Sequence, residues 1–229
     1  MKKRIGVIFG GRSGEHEISI RSAKTVVEQI DRSKFDVIPI AIAKDGRWLS
    51  PFDSAALLPD SVREAIPDDT LAYGDARLVL SGDPGIKGLL QTDREMGTVP
   101  IDVAFPVLHG TFGEDGTIQG LFEMADIPYV GCGVLGSSCG MDKVAMKVLF
   151  KAAGLPICKY TWFTRKEWET DAGAVRDKIL GSLRYPVFVK PANLGSSVGV
   201  SRADDDDSLD NAVNLAAKYD RKIVVEEAL

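Results

Sequence analysis

The sequence predicts an α/β protein: a parallel-sheet domain covered by helices, followed by a smaller α+β domain. Three observations carry this. Arg4 to Phe9, Phe35 to Ile42 and Ile101 to Leu108 are apolar runs of strand length. Between the first two, Ala23, Val26, Val27 and Ile30 recur at helical spacing, and such alternation of strand and helix produces a parallel sheet. Beyond residue 140 the pattern changes to helices interleaved with short strands, which places domains at 1–140 and 141–229.

The first strand ends in Gly10-Gly11 and turns into the helix that carries Ala23 to Ile30. Phe35 to Ile42 follows, and Asp45-Gly46 marks a turn before Arg47 to Leu49. Residues 50–100 are rich in proline, glycine and aspartate, with weak strand signals at Arg77 to Leu80 and Ile86 to Leu90, and read as an elaborated surface region. After the strand Ile101 to Leu108 and Gly116, Ile118, Leu121, Phe122 and Ala125 share one helix face, and Tyr129-Val130 is a short strand. Asp142 is a good N-cap for a helix burying Ala145, Val148, Leu149 and Ala152, which stops at Gly154 with Pro156 beyond. The second domain then reads as helix Lys166 to Leu183, strand Val187 to Lys190, strand Val198 to Ser201, helix Asp205 to Lys218 and strand Ile223 to Glu227. The acidic run Asp204 to Asp207 sits where a helix N-terminus favours negative charge, so it reads as a solvated cap rather than a metal site. The final strand has no partner after it, which suggests an open sheet edge and a truncated chain.

Composition excludes several classes of function. A net charge of −5 with dispersed lysines and arginines lacks the basic stripe of a nucleic-acid surface. No apolar run approaches membrane-spanning length and no signal-peptide core follows Met1, so the expectation is a cytoplasmic protein without a membrane partner. Cys132, Cys139 and Cys158 are odd in number and lack metal-ligand spacing, and read as reduced, mostly buried thiols. Gly131 to Gly136 matches GxGxxG literally, but the strand before it is very short and no acidic residue follows at the ribose-binding distance. A Walker A sequence is absent.

Chemistry concentrates in a few segments. In YPVFVKPANLGSSVGVSR, Tyr185 to Arg202, a buried strand ends at Lys190 and Pro191 bars a helix. Gly195, Ser196, Ser197 and Gly199 can then fold N–H groups and hydroxyls around an anion such as a triphosphate; a hairpin with an exposed lysine is the alternative. Lys143, in the first turn of a helix, opposes the macrodipole and calls for an anion. Two such cations suit phosphoryl chemistry. His109 to Gly116 lies at a strand's C-terminal end, where open α/β sheets gather ligands; its His109, Glu114 and Asp115 either orient a polar substrate or cap the next helix. Glu15, in the first glycine loop, either pairs with an ammonium group or is a first-turn glutamate. The strand from Val224 ends in Glu226 and Glu227, an edge for adenine or a plain sheet terminus.

Taken jointly, FGGRSGEHEIS at 9–19, HGTFGEDGTIQG at 109–120, GSSCGMDK at 136–143, VKPANLGSSVGV at 189–200 and VVEEAL at 224–229 resemble the D-alanine:D-alanine ligase family in order and spacing. The resemblance implies a pre-ATP-grasp domain carrying the first D-alanine site, then an ATP-grasp small subdomain incomplete at its C-terminus, assembled as a cytoplasmic homodimer that serves peptidoglycan synthesis. ATP would phosphorylate one D-alanine, and the amine of a second would attack the acylphosphate. Glu15 matches the residue holding the first ammonium group and Ser196 the serine bonded into that site; His109 fits the substrate loop. Lys143, Lys190 and the loop with Gly195, Ser197 and Gly199 match the phosphate contacts, and Glu226, Glu227 and Leu229 the adenine-binding strand. The Mg2+ or Mn2+ ligands, the oxyanion-hole arginine and the second-substrate loop fall beyond Leu229 in the family, so the fragment alone is expected to be inactive. Rival readings are a D-alanine:D-lactate or D-alanine:D-serine ligase, another ATP-grasp enzyme, and a non-catalytic nucleotide-binding fragment.

Overall fold

The computed structural model describes residues 2–64, 66, 70, 72, 74–92 and 97–229. They form two compact units, Met1–Ser137 and Ser138–Leu229. In the first, β1 (Lys3–Gly10), helix α1 (His16–Gln29) and β2 (Phe35–Ile42) open the chain, with short helices α2 (Pro51–Ala56) and α3 (Asp60–Arg63) after them. A three-stranded parallel sheet has the order β2, β1, β6, where β6 is Val103–Pro106. Its central strand is buried on both faces, which is why β1 reads as a continuous apolar run. Ile5, Val7 and Phe9 pack with Ala23 and Val27 of α1, while Ile8 faces a second cluster with Ile40, Leu89 and Phe122.

Residues 50–100 are more than surface. β3 (Leu78–Leu80), β4 (Gly88–Gln91) and β5 (Thr98–Pro100) form an antiparallel sheet whose Leu78, Leu89 and Val99 are buried in the same core as Ile40. Trp48 ties the two sheets, bridging Ile42 on one side and Leu78 on the other. Residues 65, 67–69, 71, 73 and 93–96 of this stretch lie outside the described residues. The strand expected over Ile101 to Leu108 is confined to β6, bracketed by Pro100 and Pro106, which have no N–H to donate. Tyr129 makes a single bridge to Ala104 in place of a strand. Helix α4 (Thr117–Met124) buries Ile118 and Phe122, and the GxGxxG residues lead into α5 (Val134–Met141).

The second unit comprises α6 (Lys143–Ala152), β7 (Tyr160–Thr164), α7 (Arg165–Thr170), α8 (Ala172–Ser182), β8 (Val187–Pro191), β9 (Ser201–Ala203), α9 (Asp206–Tyr219) and β10 (Lys222–Glu227). Its antiparallel sheet runs β7, β10, β8, β9. The last strand is therefore not an edge: β10 sits between β7 and β8, partners that precede it in sequence. Alternation divides its residues cleanly. Ile223 and Val225 face a core with Phe163, Ile179, Val189, Leu209 and Val213, while Val224 packs on the opposite face with Val144 and Ala192.

Several expected boundaries move for identifiable reasons. The helix read over Lys166 to Leu183 is two helices, because Asp171 leaves helical conformation and accepts a hydrogen bond from the Ala174 N–H to start α8. A capping box between Thr164 and Glu167 starts α7 just after β7, a strand the sequence pattern had not revealed. The strand expected at Val198 to Ser201 begins only at Ser201, since Gly199 turns the chain at φ +71°. Helix α6 buries Val144 and Lys147 rather than Ala145, Val148, Leu149 and Ala152. Val148 and Leu149 remain 55% and 51% exposed. Two ties set this rotation: the Lys143 N–H bonds to the Ala192 carbonyl, and Asp142 both caps the helix and pairs with Lys222. The cysteines are free as expected but less enclosed, with Cys132 exposed.

Phe163 is fully buried beside Trp168, with ring centroids 6.2 Å apart. Phe163→Ala should lower the unfolding free energy of this unit by about 3–5 kcal/mol, read from urea denaturation followed by tryptophan fluorescence. Burial alone would raise the pKa of Asp142, but the Lys222 ammonium and the Ala145 and Val144 N–H groups hold it below its ordinary 3.8. The folded state thus binds fewer protons than the unfolded chain. The stability this adds is present above about pH 4 and is lost as pH falls through the lowered folded value. Asp142→Asn should flatten the acid limb of the urea midpoint plotted against pH.

Candidate active site

In the first unit, the ends of β1 and β6 are drawn together by one buried hydroxyl. Ser19 Oγ accepts from the Gly10 N–H at 2.8 Å and donates to the Val107 carbonyl at 2.6 Å. Beside it, His16 Nδ1 donates to the Gly11 carbonyl at 2.8 Å. Gly10 has φ +85°, and a Cβ there would lie 2.4 Å from the Ile42 carbonyl oxygen, so only glycine fits this turn. The loop after β1 then reaches the loop after β6. Ser13 Oγ donates to the His109 carbonyl at 2.6 Å and accepts from the Glu15 N–H at 3.2 Å. His109 Nε2 shares a 3.0 Å hydrogen bond with Ser22 Oγ of α1.

Glu15 and the His109 loop are in contact. A Cβ built on Gly110 would lie 2.6 Å from Glu15 Oε2, so the carboxylate rests directly over that glycine. The two other acids of the loop serve its own backbone: Glu114 accepts from the Gly110 N–H, and Asp115 from the N–H groups of Phe112 and Thr117. Gln119 braces the same loop by donating to the Gly113 carbonyl at 2.9 Å.

In the second unit, β8 and β10 pair so that Lys190 stands opposite Val224 and Phe188 opposite Glu226, all on the face away from α8 and α9. Helix α6 lies against that face and adds Lys143 and Lys147, one turn apart. Glu226 is 6% exposed and holds one lysine on each oxygen: Lys147 at 3.0 Å on Oε1 and Lys190 at 2.5 Å on Oε2. Burial pushes its pKa up, but the hydrogen bonds from Lys190 and Lys147 outweigh that and hold the carboxyl below the ordinary range. Lys143 Nζ donates to the Leu194 carbonyl at 2.5 Å. Burial, and then repulsion from Lys190, brings its pKa below the usual lysine value. Two ammonium groups close enough to repel are an anion site in electrostatic terms.

The loop that follows β8 is built for close approach. Ser196, Ser197 and Gly199 have φ of +48°, +59° and +71°. Left-handed conformation at two consecutive serines is strained backbone of the kind found at ligand clamps. A Cβ on Gly199 would lie 2.8 Å from both Pro191 Cγ and Tyr219 Cδ2. Glu227 accepts from the Lys159 N–H at 2.7 Å and is occupied with joining β10 to the chain before β7, while Leu229 is fully exposed.

The structure therefore groups Glu15 with His109 in one unit, and Lys143 with Lys190 and Glu226 in the other, where Gly195, Ser196, Ser197 and Gly199 form the adjoining loop. Lys147 and Ser22 are the residues that sequence reading missed. Lys147 had a signal, a lysine interrupting an apolar helix face four residues after Lys143; Ser22 had none. Among the described residues no group of three or more His, Cys, Asp or Glu side chains converges as a metal site.

Comparison with known proteins agrees along the whole chain. A family model described as the D-ala D-ala ligase N-terminus matches residues 4–132, and one for the C-terminus matches residues 149–229. The D-alanine–D-alanine ligase of Acetivibrio thermocellus is 49% identical over 99% of this chain and 62% of its own length. That of Ruminiclostridium cellulolyticum is 50% identical over 99% and 61%. Among solved structures, the VanG D-Ala:D-Ser ligase from Enterococcus faecalis superposes with a TM-score of 0.82 at 38% identity, over 100% of this chain and 63% of that one. The D-alanine–D-alanine ligase from Coxiella burnetii gives 0.79 at 32% identity, over 100% and 62%. The chain spans about 60% of the length of these relatives. With Lys190, its glycine-serine loop and the carboxylate over Gly110 lying within the segments the family models match, the chain belongs to the D-alanine–D-alanine ligase family.

Proposed function

We propose that this chain carries the nucleotide-phosphate and first-substrate groups of an ATP-dependent ligase that joins two D-alanines. The observation that carries the reading is the Lys143 and Lys190 pair beside the glycine-serine loop, two cations and a close-approach backbone within one unit. Lys143, Lys190 and the loop of Gly195, Ser196, Ser197 and Gly199 hold the triphosphate and offset charge on the transferring phosphoryl oxygens. Glu226 accepts from the adenine edge, and the backbone of Glu227 to Leu229 continues that contact. Glu15 pairs with the ammonium group of the first D-alanine, and His109, oriented by Ser22, lines the same loop.

A carboxylate is a poor electrophile, so a carboxylate oxygen of D-alanine takes the γ-phosphoryl group with loss of ADP. The amine of the second D-alanine then attacks the acyl carbon, expelling phosphate and losing a proton as the amide forms. Excluding water over the phosphates protects the acylphosphate from hydrolysis. Fixing amine and acylphosphate together supplies effective molarities on the order of 10⁵ M or more. We place this chemistry in the cytoplasm, in a homodimer serving peptidoglycan synthesis and cell shape, with Mg2+ or Mn2+ supplying charge neutralisation when bound. A D-Ala:D-Ser ligase is the second reading, favoured by the 0.82 TM-score of the VanG enzyme. The Glu15 and lysine groups above serve both, because they act on the first substrate and on ATP.

Titration calorimetry with ATP and D-alanine tests the reading: the 229-residue chain should bind ATP and release no phosphate from it on its own. In a chain of the relatives' full length, Lys190→Ala should cost about 2–5 kcal/mol of phosphate stabilisation, and undiminished ATP affinity and turnover would refute the assignment. Gly110→Ala should displace the Glu15 carboxylate and weaken D-alanine binding about tenfold or more, with ATP affinity unaffected, by the same calorimetry.

A further inference from the structure

Lys147 has no part in the reading above, yet it is a lysine 6% exposed, held on the partner of a phosphate-site lysine. The two cations on Glu226 are not equivalent. The Lys147 side chain is 8% exposed and lies 5.2 Å from the Tyr160 ring centroid, enclosed between α6 and the sheet. The Lys190 side chain is 26% exposed, lies beside Lys143 and faces solvent. One carboxylate thus has a fixed counterion and an exchangeable one.

We propose that Lys147 is a positioning residue whose charge releases Lys190 from Glu226 to the phosphates of the nucleotide. This rests on the nucleotide reading and deepens it. Lys190 cannot serve an incoming anion while it neutralises a buried carboxylate unless another cation takes over, because an ionised carboxylate left alone in that environment is strongly disfavoured. Lys147 already occupies Oε1, so Glu226 stays neutralised when Lys190 swings away. The departure also relieves the repulsion between Lys190 and Lys143, since an anion then lies between them. Without Lys147, Glu226 would hold Lys190 back and phosphate affinity would fall, although Lys147 touches no phosphate.

The test is a double-substitution cycle on the full chain, read by calorimetry with inorganic tripolyphosphate, a probe with no adenine for Glu226 to contact, and with ATP in parallel. Lys147→Met keeps the side-chain volume and removes the charge. It should weaken tripolyphosphate binding about tenfold or more in the native background and by less than about twofold in Glu226→Gln, where nothing retains Lys190. Equal losses in both backgrounds would mark a purely structural role and overturn the proposal, as would no loss in either. If Lys147→Met loses its cooperative thermal transition, Glu226→Gln alone decides: tripolyphosphate binding as tight as native or tighter supports release of Lys190, and weaker binding overturns it. If the unsubstituted chain binds neither ATP nor tripolyphosphate, the nucleotide reading falls and this proposal with it; binding by the native chain with no effect at Lys147 removes this proposal alone.

Discussion

The second unit depends on how one carboxylate is kept charged inside it. Glu226 lies on an inner strand of a four-stranded sheet, 6% exposed, where an unpaired anion would be untenable. Its two lysines come from different elements, Lys190 from the neighbouring strand and Lys147 from a helix that precedes it by more than thirty residues in sequence. The ion cluster therefore fixes the rotation of α6 against the sheet as well as the charge on the strand. Asp142 with Lys222 repeats the device at the start of the same helix. Between them these pairs face Val144 and Lys147 inward and leave Val148 and Leu149 in solvent, against the expectation from hydrophobic spacing.

The first unit solves a different problem with neutral groups. Its strands end at glycine turns that would drift apart without a tie, and Ser19 supplies it, taking the Gly10 N–H and giving its own proton to Val107. Ser13 and Ser22 extend the link to His109. Hydroxyls suit this role because each is donor and acceptor at once, so a chain of them can join backbone groups without burying charge. The same link sets the Glu15 carboxylate over Gly110, held there by the shape of two loops.

Legibility in the sequence followed the range of the interactions. The parallel sheet was readable because β1 and β2 bury both faces, giving unbroken apolar runs, and α1 was readable from its period. Capping was readable at Asp142, since an N-cap is set by residues within a few positions. What failed to show was decided at long range. The small sheet of Leu78, Leu89 and Val99 gains its burial from Ile40 and Phe122, which no local window contains. The place of β10 inside its sheet is likewise set at long range, by pairing with β7 and β8 earlier in the chain. Among the site residues, Lys143, Lys190 and Glu15 stand in glycine-rich contexts that carry their own signal, and joint motif spacing pointed to the family. Lys147 and Ser22 act through partners 79 and 87 residues away.

This difference in range also explains why the charged groups occupy the positions they do. In β10 the alternation sends Ile223 and Val225 into a sealed apolar core and leaves Val224 and Glu226 for the other face. A carboxylate shifted by one residue would enter the apolar core with no cation within reach, so strand register alone enforces the chemistry of this face. The same register sets Lys190 opposite Val224, two register positions from Glu226 on the same face, near enough for a direct ion pair yet close to the loop that follows Pro191. A lysine so placed has a choice of two anions. Which one it takes is then determined by how well the other is neutralised, which connects the packing of a helix to the affinity of a phosphate site.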